Sequence, residues 1–434
     1  MRALLPLIFC SIMLSSLYIL YTSMRVAIVG GGAAGMMCAA TIAEEYPRVE
    51  IFVLEKNASL GKKVIISGGG RCNVTTGIED ISLILEKYPR GNKFLQSAMH
   101  RFSPNMVSAW FEAHGVPLKC EDDLRMFPVS NNGTDIVAVF EDIFEETNVH
   151  VKYKHNVQHI IKKNTGFVLS FKDQKDLEVD KVVVALGGQA YRHTGSTGDG
   201  YDILEQLGHT ITPLAPSLNS FLTKETWPKK LSGLSFQKAT IFIAGQKKQY
   251  TSTGPFLFTH MGVSGPAIFA LSARIAFLRY DKATPLAIQI DIFPDLTEGE
   301  LLEKLQQTRE EHMQKTFKNT LPHLVAKSLA EELCILLDIP LEKKNADMSK
   351  KELSRVVSHL KGLPLNITGR GAGDEFVTAG GVELSEVDPK TMESKICPGL
   401  FFAGEILDVD GYTGGFNLQA SWATGNAAGI AIGK

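Results

Sequence analysis

Three observations in the 434-residue chain predict an α/β fold. A short apolar run meets a G-x-G-x-x-G turn near the start, a second glycine-rich turn meets a small-residue helix near the end, and strand-like runs followed by helical periodicity lie between. The expected architecture is a Rossmann-like dinucleotide-binding domain, discontinuous in sequence, with an inserted β-barrel-like plus three-helix domain. The expected boundaries are an apolar extension over residues 1–23, the first part of the cofactor domain over 24–210, an inserted substrate domain over 211–362, and the second cofactor part over 363–434.

The first element is ambiguous. Ala3 to Leu20 is almost uniformly apolar, and Arg2 is the only charge before Met24. As a membrane helix it is borderline, because about 20 apolar residues are needed to span. As a signal peptide it lacks a small-residue cleavage site, since Tyr21-Thr22-Ser23 stands there. The favoured reading is a translation start at Met24, because an anchor would abut the first strand with almost no linker. On that reading the protein is cytoplasmic and meets a membrane only if residues 1–23 are translated.

Composition narrows the rest. With 45 basic and 47 acidic residues the net charge is −2, which argues against a long polyanion track. A chain 44% apolar and 21% charged is ordinarily globular, not disordered or collagen-like. The six cysteines (Cys10, Cys38, Cys72, Cys120, Cys334 and Cys397) form no C-x-x-C and have no zinc-site spacing, so reduced thiols and no metal are expected.

Val26 to Val29 reads as a buried strand running into Gly30-Gly31-Gly32-Ala33-Ala34-Gly35 and a helix to Glu45. Gly30 permits the tight turn, Gly32 lets backbone approach a pyrophosphate, and Gly35 lets helix and strand pack closely. The helix start, with Ala33 and Ala34, offers free N–H groups to phosphate. The run Val49 to Leu54 ends in Glu55-Lys56, and Glu55 lies 20 residues after Gly35, where a carboxylate accepts a ribose hydroxyl.

The remaining glycine clusters separate the candidate dinucleotides. Gly61-Lys62-Lys63 leads into Ser67-Gly68-Gly69-Gly70-Arg71-Cys72-Asn73, a loop able to lie on a flat ring, with charge from Lys62 and Arg71. A strand over Lys181 to Leu186 ends in Gly187-Gly188. Leu400 to Ala403 is another strand, followed by Gly404-Glu405, the loop Asp408 to Gly415, and a helix from Phe416 through Asn417 and Leu418. Glu405 suits a polyol hydroxyl, and Gly414-Gly415 at a helix start suits negative charge on a reduced ring. NAD has no polyol and needs no second contact of this kind, so two distant segments with cofactor character favour FAD. Of the 39 glycines, 24 fall in the runs 30–35, 61–70, 187–200, 369–381 and 404–429, so the glycine excess is loop contact rather than general flexibility.

In the insert, Phe236 to Ala244 and Leu286 to Ile292 read as strands, with a turn at Gly245-Gln246. Thr297-x-x-Glu300 and Ser349-x-x-Glu352 are capping boxes that open helices, and Pro322 to Leu337 reads as a third helix. The chain returns at Leu363 to Ile367 and passes Gly369-Arg370-Gly371-Ala372-Gly373.

The stretches Val29–Gly35, Ser67–Asn73, Ala185–Gly188, Leu257–Pro266, Val377–Val382 and Ala403–Gln419 together resemble the BaiN/RdsA (YhiN-like) family of NAD(P)H/FAD-dependent flavoprotein oxidoreductases. The resemblance covers residues 24–434. It implies a discontinuous FAD domain with an insert, tightly bound FAD, and NAD(P)H as electron donor. Members have been linked to reduction of a uridine of large-subunit (23S) ribosomal RNA to dihydrouridine, others to steroid-like substrates.

Three functions stand open: reduction of an rRNA uridine, turnover of a small acid, amine or enone-like metabolite, and flavin binding without turnover. There is no second G-x-G-x-x-G and no redox-active cysteine pair, which points to ping-pong hydride transfer. The candidate acids are His260, in the loop Phe258–Pro266 expected near the flavin; Cys72, whose neighbour Arg71 is expected to lower its pKa; and His193. Each is equally an ordinary polar or packed residue. Lys62-Lys63, Lys229-Lys230, Lys247-Lys248 and Lys350-Lys351 are basic pairs suited to phosphates or simply to solvent.

Overall fold

The computed structural model describes residues 23–245, 250–371 and 376–434. The apolar extension up to Thr22, Gln246 of the Gly-Gln turn, the Lys247-Lys248 pair and Ala372-Gly373 lie outside the described residues.

Apolar runs form the central sheet. Its five parallel strands lie in the order Leu400–Phe402, Lys181–Val184, Arg25–Val29, Glu50–Glu55 and Val149–Tyr153. Val26 stands between Lys181 and Ile51. Residues 26–29 and 51–54 are buried throughout, which is why these strands read as continuous apolar runs and not as alternating ones.

The helices Ala33–Glu45 and Phe416–Ile432 lie against each other. Small residues permit this: a Cβ on Gly425 would stand 2.4 Å from the Ala34 carbonyl oxygen. The contact joins the start of the first helix to the middle of the last, which begins nine residues before Gly425, so the two helix N-termini are offset from each other.

The chain leaves and re-enters this domain through a two-stranded antiparallel ribbon, Ala215–Ser217 against Val377–Ala379. Beyond it is a closed six-stranded barrel of Phe221–Thr223, Gly262–Ser264, Thr251–Phe258, Ser235–Ile243, Leu286–Asp291 and Leu363–Arg370. The barrel-like expectation is met, and the returning segment from Leu363 supplies the strand that closes it. Phe256 and Phe258 fill its interior edge-to-face at 4.8 Å, with Ile241, Ile290 and Ile367 fully buried beside them.

The three expected helices are present, Glu298–Glu310, Lys327–Leu336 and Lys350–Lys361, and a further helix, Pro266–Arg274, packs on the barrel strand Thr251–Phe258. Both capping boxes form, with Thr297 and Ser349 each accepting from the backbone N–H three residues on. The middle helix starts later than Pro322. That proline sits in the separate turn Leu321–His323, and Ala326 then adopts extended backbone before the helix begins.

Candidate cofactor cleft

A cleft of about 570 Å³ runs along the carboxyl edge of the sheet, a size ordinary for a ligand site. The glycine turn that opens it is tightly specified. Gly30 has φ +111°, and a Cβ there would stand 2.5 Å from the Ala185 carbonyl oxygen. A Cβ on Gly35 would stand 1.9 Å from the Gly30 carbonyl oxygen, so this glycine packs helix on strand. A Cβ on Gly32 would meet nothing within 4 Å, because Gly32 faces the cleft. Gly32 is also the N-cap of the first helix and supplies no side-chain cap, so the N–H groups of the first turn face the cleft with Ala33 and Ala34.

Glu55, nearly buried at the end of its strand, accepts from the Gly31 N–H at 2.9 Å and from both the backbone and side-chain amides of Asn57 at 2.7 Å. Its Oε2 accepts one protein hydrogen bond and keeps acceptor capacity toward the cleft. Lys56 is paired with Asp199 at 2.7 Å, and Lys62 donates to Asn57 at 3.2 Å.

The middle of the cleft is bridged by Lys63. It donates to Glu405 at 2.7 Å, to Ser196 at 3.1 Å and to the Ala190 carbonyl at 3.3 Å. The other Glu405 oxygen accepts from the Thr378 N–H at 2.9 Å. Gly187 (φ +71°) and Gly404 also line this stretch.

At the far end, Gly414 and Gly415 have φ +130° and +87°. A Cβ on Gly415 would stand 2.2 Å from the Thr75 carbonyl oxygen. Gly415 is the N-cap of the last helix, again without a side-chain cap. With its side-chain amide turned so that the oxygen faces the last loop, Asn73 accepts from the Gly415 N–H at 2.9 Å and ties the Ser67–Asn73 loop to the Gly414-Gly415 turn. Asn417 closes the turn by bonding both the N–H and carbonyl of Gly411 at 2.8 Å. Leu418 completes this wall.

Other predicted residues stand behind the wall or away from it. Gly35, Gly188 and Phe416 are packing positions: a Cβ on Gly188 would meet the Thr378 hydroxyl at 2.5 Å, and Phe416 lies edge-on to Tyr88. Gly70 and Arg71 do not line the cleft, and Arg71 instead pairs with Glu121 at 2.6 Å over the Phe127 ring. Cys72 is fully buried behind its loop. Burial pushes its thiol up to about 12, the reverse of the expected lowering, because Arg71 turns away and no cation offsets the loss of water. His260 is exposed on the turn between two barrel strands, and His193 is exposed with its ring 5.9 Å from that of Tyr191; neither lines the cleft.

The HI0933-like protein Rossmann domain model matches residues 24–431. The chain belongs to the HI0933-like family. It is 28% identical over 411 residues (94% of this chain, 99% of the relative) to the 3-dehydro-bile acid delta(4,6)-reductase of Clostridium scindens. It is 30% identical over 403 residues (92% and 95%) to the ribosomal RNA dihydrouridine synthase of Escherichia coli. A solved 3-ketosteroid delta1-dehydrogenase from Sterolibacterium denitrificans is 13% identical with a TM-score of 0.49, covering 94% of this chain and 99% of that one. The BaiN/RdsA resemblance is borne out, and this HI0933-like chain is an enzyme of an oxidoreductase family.

Several residues of the HI0933-like cleft escaped the sequence reading. Lys63, Asn57, Thr378, Tyr191 and Tyr412 all contact the site or line it. Lys63 was visible only as one of a lysine pair, and its partner Glu405 is 342 residues away. Among the described residues no group of three or more His, Cys, Asp or Glu is placed to hold a metal, and no helix is long and apolar enough to cross a membrane.

Proposed function

We propose that the chain is an FAD-dependent oxidoreductase that draws electrons from NAD(P)H and reduces a carbon–carbon double bond conjugated to a carbonyl, with a 23S rRNA uridine as substrate. One observation carries the cofactor reading: two helix N-termini without side-chain caps, at Gly32 and Gly415, open on one cleft with the Lys63–Glu405 pair between them. NAD, which has no polyol chain and no isoalloxazine ring, has no use for the second half.

The residues present fit FAD. Gly32 leaves free the space that a Cβ would fill, and the N–H groups of Ala33 and Ala34 would hold the pyrophosphate. Glu55 would accept from the adenosine ribose and Glu405 from the polyol. The Gly414-Gly415 turn and the last helix N-terminus would face the ring and favour negative charge there. When bound, FAD supplies hydride transfer between nicotinamide and substrate. Lys63 neutralises Glu405, so the polyol region does not hold an unpaired carboxylate.

The rRNA assignment draws on the similarity to a ribosomal RNA dihydrouridine synthase. A small conjugated enone is the second reading, favoured by the uncharged wall of Tyr191, Leu218, Phe376 and Tyr412 and by the similarity to a bile acid reductase. The cofactor is tested by the absorbance of the purified protein and its bleaching by NADH or NADPH without oxygen. The substrate is tested by mass spectrometry of 23S rRNA nucleosides from strains with and without the gene. Loss of dihydrouridine supports the first reading. Unchanged rRNA, with NAD(P)H oxidation driven by an enone, sinks it in favour of the second. A protein that takes up no FAD overturns both.

A further inference from the structure

Charged side chains of Glu55, Lys56, Lys62, Lys63, Arg125 and Glu405 line the cleft, and an uncharged group, Tyr191, Leu218, Phe376, Val377 and Tyr412, forms another part of its wall. This uncharged wall is assembled across the seam between the two domains. Tyr191 follows the Gly187-Gly188 turn of the sheet domain, and Phe376 precedes the ribbon strand Val377–Ala379. The Phe376 ring lies 5.8 Å from that of Tyr191 and 5.2 Å from that of Phe269, on the barrel-side helix Pro266–Arg274.

Two residues of this wall hold backbone conformations that non-glycine residues seldom adopt. Tyr191 has φ +55° and Leu218 has φ +61°. Tyr191 is locked there by Thr194, whose N–H and hydroxyl both donate to its carbonyl, at 2.8 and 2.7 Å. Such conformations persist only where the surroundings over-determine them, and they gather at ligand clamps. Phe376 meanwhile is 42% exposed, an aromatic face left to the cleft.

We propose that Phe376 and Tyr191 form the ring-binding subsite of the cleft, taking a planar, uncharged ring whose double bond is conjugated to a carbonyl. The inference rests on the cofactor reading above and adds where the reducible ring is held. The ring stacks on Phe376 and is bordered by Tyr191, while Phe269 behind Phe376 lets the barrel domain set its tilt. A uracil base and a steroid enone ring share this chemistry, and the experiment separates them.

The test uses the full chain loaded with FAD, its flavin absorbance titrated with two probes, a uridine-containing RNA hairpin and androst-4-ene-3,17-dione. Phe376→Ala and Tyr191→Ala are expected to retain wild-type FAD content and thermal midpoint and to weaken one probe about tenfold or more, with Phe376→Leu intermediate. The probe that loses affinity names the source of the ring. Unchanged probe affinity with FAD retained overturns the subsite, as does loss of FAD from Phe376→Ala, which would make this wall part of the cofactor site. Failure of the wild type to bind either probe overturns the ring class, although the cofactor reading then survives. A wild type that takes up no FAD removes both.

Discussion

Lys63 Nζ lies 2.7 Å from Glu405 Oε2, joining segments 342 residues apart into one wall of the cleft. The pair is half-sheltered, and Ser196 and the Ala190 carbonyl share the ammonium. Lys63→Met leaves Glu405 charged without its cation, a loss of about 1–3 kcal/mol for a sheltered charge. FAD retention measured after gel filtration should fall for Lys63→Met and for Glu405→Ala. Retention at the wild-type level in both would separate this pair from cofactor binding.

Gly32 and Gly35 stand three residues apart and predict opposite failures. A Cβ on Gly32 meets nothing, so Gly32→Val should lose FAD and melt with the midpoint of the FAD-free wild type. A Cβ on Gly35 strikes the Gly30 carbonyl, so Gly35→Ala should cost about 1–3 kcal/mol or more through overpacking. Thermal melts and flavin content measured together distinguish the two.

The Cys72 thiol, pushed up to about 12 by burial, stays protonated at pH 8 and is a poor nucleophile there. Iodoacetamide at that pH should label the exposed Cys120 and spare Cys72, as read by peptide mass spectrometry. Cys72→Ala should lose stability rather than proton-transfer capacity, leaving the pH profile of turnover in place.

His209 is buried with Nδ1 3.0 Å from Glu386 and Nε2 3.0 Å from the Ser394 hydroxyl. Burial outweighs the Glu386 attraction and holds its pKa below the ordinary 6.5. The unfolded chain therefore binds this proton at a higher pH than the folded one. The stability contribution is full above about pH 6.5 and is lost as pH falls toward the folded-state value. Melts between pH 7.5 and 5 should show this decline, and His209→Gln should flatten it.

Arg90 and Asp410 form a two-pronged ion pair beneath the loop that carries Gly414 and Gly415. Asp410 is fully buried and also accepts from Ser217 at 2.7 Å, while Arg90 donates to the Ala273 carbonyl of a barrel-side helix at 2.9 Å. Arg90→Ala removes one partner of a buried pair, a loss of about 3–5 kcal/mol. The expected result is a lower midpoint accompanied by weakened FAD retention, because the pair holds the loop and the second domain at once.

What was legible in the sequence was what short-range chemistry encodes. Gly30, Gly32 and Gly35 announce their turn because strand, glycines and helix lie within a few residues, and Thr297 and Ser349 announce helix starts because their partners lie three residues on. The barrel was readable as strands, but not its closure, since Phe221–Thr223 and Leu363–Arg370 are far apart in the chain. The acid candidates were misplaced for the same reason. Side-chain direction decides whether Cys72, His193 or His260 reaches a cleft, and residue type beside a glycine loop does not encode direction. Tyr191 and Phe376 carry no motif, and only the meeting of two domains makes them neighbours.

The order in which the chain returns has a consequence for synthesis. The barrel cannot close before Leu363–Arg370 has emerged, and the parallel sheet gains its last strand, Leu400–Phe402, later still. A nascent chain halted before residue 363 therefore owns no finished domain and leaves the strands Phe221–Thr223, Leu286–Asp291 and Lys181–Val184 without a neighbour they will later gain, the edges most prone to mispairing. Completion waits for the residues from 363 onward, and both domains become whole almost together.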